Sequence, residues 1–443
     1  MKKILHILAL ALIAIALTYN PLQASWAQDT LQNLTLDQKI GQLFIVDATS
    51  KPAGDSAAAL TYQSDNPLLY RCQPDYVQKM IKEYHVGGLI FLFRGDPRAQ
   101  IEFTNRYQHM AQVPLLIALD AEWGLPMRLD GAIRYPRAMT LGALHDPKIV
   151  YDVAREIGFQ CKALGVHMNI APVIDVNNNA ENPVINDRSF GECKYEVAQR
   201  GTLFMQGLRD AGILSCAKHF PGHGDTAVDS HCDLPVILHS RERLATIELY
   251  PFIQLIKAGV PALMTAHLSI PALDATPNLP ATLSKPIITD LLRKELGFQG
   301  LIITDGMVMA GITKHHKPGY ADLQAIMAGN DLIIRPTDVP KAVELIKGAL
   351  EDGRLTVEDL DARVLRILHA KEWVGAHTWQ PIDADQALTR LHTPYGRELK
   401  QQAFAGAVTV VKDGNEDRNR NGSIHFTHCV RKTLTTDGIY YIS

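Results

Sequence analysis

The sequence predicts a (β/α)8 TIM barrel, and three observations carry that expectation. Eight short apolar runs follow one another along the chain, amphipathic stretches lie between them, and a polar residue closes each run. The runs are GQLFIV, VGGLIFL, PLLIALD, VHMNIAPVID, ILSCAKHF, ALMTAHL, GLIITD and NDLIIRP. Each is apolar at nearly every position, as a strand reads when both faces are covered in a parallel sheet. Eight such repeats over roughly 300 residues match a barrel in count and size. An open doubly wound sheet is the competing layout. It rarely needs eight repeats, and no GxGxxG follows an early strand here.

The intervening stretches include DYVQKMIKEYH, DPKIVYDVAREIGFQCKAL and LSKPIITDLLRKEL. In the second, Ile149, Val153, Ile157 and Cys161 fall on one helical face at four-residue steps. The C-terminal ends of the runs carry Asp47, Arg94, Asp120, Asp175, Lys218 with His219, His267, Asp305 and Arg335. A barrel opens its active site at that end of the strands. One polar strand end is ordinary at a surface; a full set in register points to a site.

The chain has 443 residues, 47% of them hydrophobic, with a formal net charge of -3, an ordinary composition for a soluble globular protein. Without a basic block it offers nucleic acid no electrostatic footprint. Lys2 and Lys3 precede the apolar run ILALALIAIAL, and Ser25 and Ala27 follow it. That layout reads as a secretory signal peptide over residues 1–27, cleaved after Ala27, so the expected location is periplasmic or secreted. The run is short for a membrane anchor, so no stable insertion is expected after cleavage. Six cysteines are too few for a disulfide scaffold; Cys193 and Cys232 are a pair that export would permit.

The chemistry-bearing residues cluster at the strand ends. Asp305 closes its run beside Gly306 and suits a nucleophile or an electrostatic stabiliser, although a helix N-cap is the plainer reading. Asp120 is equally ambiguous, but Glu122, Trp123 and Arg128 follow it closely. Charged groups that grip hydroxyls beside an aromatic face suit a sugar. The run KHFPGHGDTAVDSH (218–231) then packs three histidines, two aspartates and a lysine around a glycine-shaped turn. Asp229 lies two residues before His231, close enough to hold the imidazole as a proton shuttle. Zinc on His219, His223 and His231 is an alternative, but no HExxH accompanies it, and no metal or cofactor is expected. A phosphate loop would need its lysine after the glycines, whereas Lys218 precedes them.

KHFPGHGDTAVDSHCDLP closely resembles the signature of family 3 glycoside hydrolases of the β-N-acetylglucosaminidase type. The resemblance continues in LDAEWGLPMRLD, NPVINDRSFG and GLIITDGMVMAGI, in the family's order, and covers residues 30–375. It implies a retaining glycosidase, a β-N-acetylhexosaminidase, that releases terminal β-linked N-acetylglucosamine from peptidoglycan fragments or chitin-type oligosaccharides. It implies Asp305 as the nucleophile, His231 as the acid/base and Asp229 as its partner. Asp120, Arg128, Arg188, Lys218 and His219 are implied to hold the sugar. Trp123 departs from the commonest family pattern, D-x-E-G-G, and bears on the shape of the sugar pocket.

Residues 376–443 are expected to be a linker and the poorly ordered remnant of a second domain. PYGRELKQQAFAGAVTVVKDG resembles the lead into that domain, and the apolar pattern stops after Gly414, as a truncation or frameshift would leave it. Two rival functions accompany this reading: a phosphorylase that uses phosphate in place of water, and an inactive glycan-binding protein.

Overall fold

All eight apolar runs are parallel strands in the computed structural model, which describes residues 25–51, 69–230 and 233–408. In chain order they are β1 (Phe44–Thr49), β2 (Gly88–Phe93), β3 (Leu116–Leu119), β4 (Met168–Asn169), β5 (Leu214–Phe220), β6 (Ala262–Thr265), β7 (Leu301–Thr304) and β8 (Ile333–Ile334). Strands β1 to β6 each pair with the next, and β1 also pairs with β8. The last seam is bridged where Ile303 meets Leu332 and where the Thr304 N–H donates to the Leu332 carbonyl at 3.0 Å. The sheet is thus a nearly closed barrel, the arrangement that buries both faces of every strand. Every residue of β1, β3, β5, β6 and β7 is buried, which is why those runs are apolar without alternation.

Helices form the outer ring, and their starts follow local chemistry. Asp96 accepts from the Ala99 N–H and Pro97 takes the first helical position of Pro97–Met110, where a missing N–H costs nothing. Helix Lys148–Ala163 buries Val153, Ile157 and Cys161 as their spacing predicts, and packs on helix Lys194–Asp210. No described helix is long and apolar enough to cross a membrane.

Two boundaries differ from the sequence expectation. One compact unit runs on to Ala407, so residues 376–407 are not a loose linker. Packing explains this. The Asn105 side chain bonds the Ile382 backbone in both directions at 2.9 Å, and helix Pro394–Gly406 buries Leu399 and Ala403. Residues 409–443, the expected remnant, lie outside the described residues. At the other end the expected leader, residues 1–27, overlaps the described fold. Residues 1–24 lie outside the described residues, but Ser25 caps helix Trp26–Asn33 through a reciprocal bond pair with Gln28. Ala27 is buried in that helix, and the Trp26 ring lies 5.4 Å from the His377 ring. Cys193 is exposed, and Cys232 lies outside the described residues.

Candidate active site

The C-terminal ends of the strands surround a cavity of about 300 Å³. Asp120, Arg128, Arg188, Lys218, His219 and Asp305 all line it, together with Glu122, Trp123, His223 and Arg335. Six of the eight residues implied by the resemblance therefore meet at one opening. Of the other two, His231 lies outside the described residues, and Asp229 is half-buried on the loop that leads to it.

The residues that the resemblance implies for the sugar are joined in a charged chain. Lys218 leaves β5 and donates to Asp120 Oδ1 at 2.9 Å, and its ammonium also lies 2.9 Å from Glu122 Oε1. Arg128 donates to Asp120 Oδ2 at 2.7 Å. Arg188 grips Glu122 with two bonds, Nε to Oε2 at 3.0 Å and Nη2 to Oε1 at 2.7 Å. Burial alone would raise both carboxyls, but the cations outweigh it. Lys218 and Arg128 hold Asp120 well below the carboxylate range, and Arg188 and Lys218 bring Glu122 down to about 2. Burial pulls Lys218 down in turn, yet Asp120 and Glu122 leave it above its ordinary value. Asp120, Glu122, Lys218 and Arg188 are thus each shifted toward the charged form and present fixed donors and acceptors to a ligand, a preorganised polar surface.

A second chain fixes the signature loop. Asp175, fully buried at the end of the fourth apolar run, accepts from His219 Nδ1 at 2.7 Å and from the backbone N–H groups of His219 and His223 at 3.2 and 2.7 Å. That bond makes Nδ1 the protonated nitrogen of His219 and turns Nε2 toward Arg188 Nη2, 3.4 Å away. His223 is buried between Thr226 Oγ1 and Ser230 Oγ, at 3.0 and 3.1 Å, and burial lowers its pKa to about 4. It is a neutral brace for the loop. Asn182 donates to the carbonyls of His223 and Gly224 at 2.8 and 3.0 Å, and a Cβ at Gly224 would lie 1.8 Å from the Val176 carbonyl.

Asp305 follows β7, its N–H donating to the Thr265 carbonyl at 3.0 Å. Its Oδ1 accepts from the Gly306 N–H at 2.7 Å. Burial opposes its ionisation, but His219, His267 and the Gly306 N–H together hold the carboxyl below its ordinary value. An ionised, partly buried carboxylate at the mouth of a barrel is a competent nucleophile. His267 supports it from behind, with Nε2 3.1 Å from the Gly306 carbonyl and Nδ1 2.9 Å from Thr282 Oγ1.

The other strand-end residues play lesser parts. Asp47 is buried behind Arg335, which donates to it at 3.0 Å, and Arg94 is exposed and paired with Asp130. Sequence reasoning named Asp175 only as a strand-end residue and His223 only as a ligand in the zinc alternative; the bracing contacts they make here span 44 to 48 residues. Trp123 lines the cavity with the Arg137 guanidinium stacked 4.4 Å from its ring centroid, and Asp187 holds that guanidinium at 2.8 Å.

Comparison with known proteins shows the family. Residues 35–370 match the glycosyl hydrolase family 3 N-terminal domain. The chain is 34% identical over 417 residues to beta-hexosaminidase A of Pseudoalteromonas piscicida, covering 86% of this chain and 68% of that protein. It is similar to the structure of a family 3 beta-N-acetylglucosaminidase from Paenibacillus sp. str. FPU-7, with 37% identity and a TM-score of 0.74 over 87% of this chain and 71% of that one. It is also similar to the beta-glucoside phosphorylase BglX bound to 2FGlc, with 25% identity and a TM-score of 0.77 over 89% of this chain and 68% of that one. The chain belongs to glycosyl hydrolase family 3.

Proposed function

We propose that the chain is an exported, retaining β-N-acetylglucosaminidase that removes terminal sugars from peptidoglycan fragments or chitin-type oligosaccharides. The observation that carries this reading is the pairing, in one cavity, of an ionised Asp305 with the Asp120–Lys218–Glu122–Arg188 chain. A cavity of about 300 Å³ is at the small end for ligand sites, which favours one ring over an extended chain.

In this mechanism a charged Asp305 oxygen attacks the anomeric carbon as the bond to the leaving oxygen breaks. The imidazolium of His231 gives its proton to that oxygen. Neutral imidazole then takes a proton from water, whose oxygen displaces Asp305 and restores the β-configuration. A neutral base in place of a second carboxylate avoids placing two anions beside one another. Support for the role of His231 comes from its flanks. Gly311, six residues after Asp305, donates to the Ser230 carbonyl at 3.3 Å, and Lys314 lies 3.1 Å from Asp233. Both ends of the segment that holds His231 are thus tied to the loop after the nucleophile.

Aryl β-glycosides of N-acetylglucosamine, glucose and xylose, with the first product's anomer followed by NMR, test the proposal. Preferred release of β-N-acetylglucosamine is expected. Preference for glucose, or an α-anomer formed first, contradicts it. The likeness to a phosphorylase supports a second reading, in which phosphate replaces water as acceptor. The same assay in phosphate separates the two, because only a phosphorylase yields sugar 1-phosphate.

A further inference from the structure

The signature loop carries one acid to which the resemblance assigns no role. Asp225 stands at its outer turn, and His239 and Glu248 converge on it from two later segments. One ligand atom from each of the three lies within 4.8 Å of the others. They are the one such group of metal-ligating side chains among the described residues. Glu248 is only 3% exposed, whereas Asp225 and His239 reach solvent at 22% and 37%. The cluster is thus a half-open site with a buried floor.

Its present bonding leaves an acceptor unused. His239 Nε2 lies 2.6 Å from Asp225 Oδ2. Arg243 donates to Glu248 Oε1 at 2.6 Å and stands 3.7 Å from Asp225 Oδ2, and Asn178 donates to the same Glu248 Oε1 at 3.3 Å. Glu248 Oε2 is buried and has no hydrogen-bond partner among the described residues. A buried carboxylate oxygen without a donor costs free energy, and a cation is the natural group to satisfy it. Two carboxylates and one imidazole, facing one arginine, still carry a net charge of about -1 with the histidine neutral, so a second cation is welcome.

We propose that Asp225, His239 and Glu248 bind a zinc-type divalent cation outside the sugar cavity. Zinc takes the place of the hydrogen bond between His239 and Asp225, binding Nε2, an Asp225 oxygen and Glu248 Oε2, with water in the fourth position. Arg243 stays on Glu248 Oε1. Tetrahedral ligands about 2.0–2.1 Å from zinc lie roughly 3.3 Å apart, so the His239–Asp225 pair, now 2.6 Å apart, opens slightly on loading. The imidazole selects zinc over calcium and magnesium, which prefer all-oxygen shells.

The site's consequence is mechanical. Ile237, two residues before His239, is buried, and its N–H donates to the Ser269 carbonyl at 2.9 Å beyond the end of β6. Asp225 directly follows Gly224, which is pressed against Val176. A cation at this point ties the outer turn of the signature loop to a rigid part of the barrel.

Calorimetric titration of ZnCl2 into chelator-stripped full-length protein, with thermal denaturation alongside, tests the site without any assay of activity. Failure of the glycosidase reading therefore leaves this result standing, and the reverse. The native chain is expected to gain one equivalent that His239→Ala lacks, and to melt about 2–4 °C higher with saturating zinc while His239→Ala gains less. His239 is partly exposed, so that variant keeps its fold. Arg243→Gln removes a neighbouring positive charge and is expected to bind zinc about 2- to 10-fold more tightly. The proposal is overturned if His239→Ala binds the same number of equivalents, if Arg243→Gln binds more weakly, or if CaCl2 or MgCl2 binds the site as tightly as ZnCl2.

Discussion

Glu122 shows how much one residue's surroundings decide. Its carboxylate is almost wholly buried, and its ionisation rests on Arg188 and Lys218. Its folded pKa, about 2, lies below the ordinary 4.5, so folding is linked to its deprotonation. The stabilisation is fully present above pH 4.5 and is lost as the pH falls toward 2. Glu122→Gln is therefore expected to flatten that part of the stability profile, removing about 3 kcal/mol of its pH dependence. Chemical denaturation at a series of pH values measures this; a variant whose profile parallels the native one rules the linkage out. The sequence made Glu122 visible as a second acid after Asp120, but nothing in it ranked the acids. That ranking comes from which cation each one meets, and Lys218 and Arg188 reach Glu122 from 96 and 66 residues away.

At the scale of elements, the strands were legible and the loops were not. Largely apolar runs named all eight strands because burial on both faces leaves few polar positions to blur them, and those few fall near the strand ends. Loop architecture depends instead on close approach between distant backbones. Gly224 is the clearest instance, since its missing Cβ lets the signature loop rest against the Val176 carbonyl. The sequence marked the glycine as a turn former without revealing what it touches. Gly224→Ala must push the loop off that carbonyl, with an expected cost of about 1–3 kcal/mol. A melting temperature equal to that of the native chain would show that the contact is not tight.

The whole molecule is wider than the expected barrel span of 30–375. The helix from Trp26 and the segment through Ala407 belong to the same compact unit. Sequence reasoning placed Ala27 at the end of a leader because small residues mark cleavage sites, and small residues also pack helices closely. A chain beginning at Gln28 lacks the Ser25 cap, the Trp26 ring and the buried Ala27. It is expected to melt about 2–4 °C below a chain beginning at Ser25, losing about 1 kcal/mol from the cap alone. Equal melting temperatures would place the start of the fold beyond Ala27. The charged cavity holds the functional account together, because barrel, loop and charged residues all converge on the space before Asp305. The most direct measurement is kcat/KM of native and Asp305→Ala proteins on an aryl β-N-acetylglucosaminide. A fall of at least about a thousandfold, with the fold intact by thermal denaturation, is the expected result. Activity within tenfold of native would contradict the assignment of Asp305 as nucleophile.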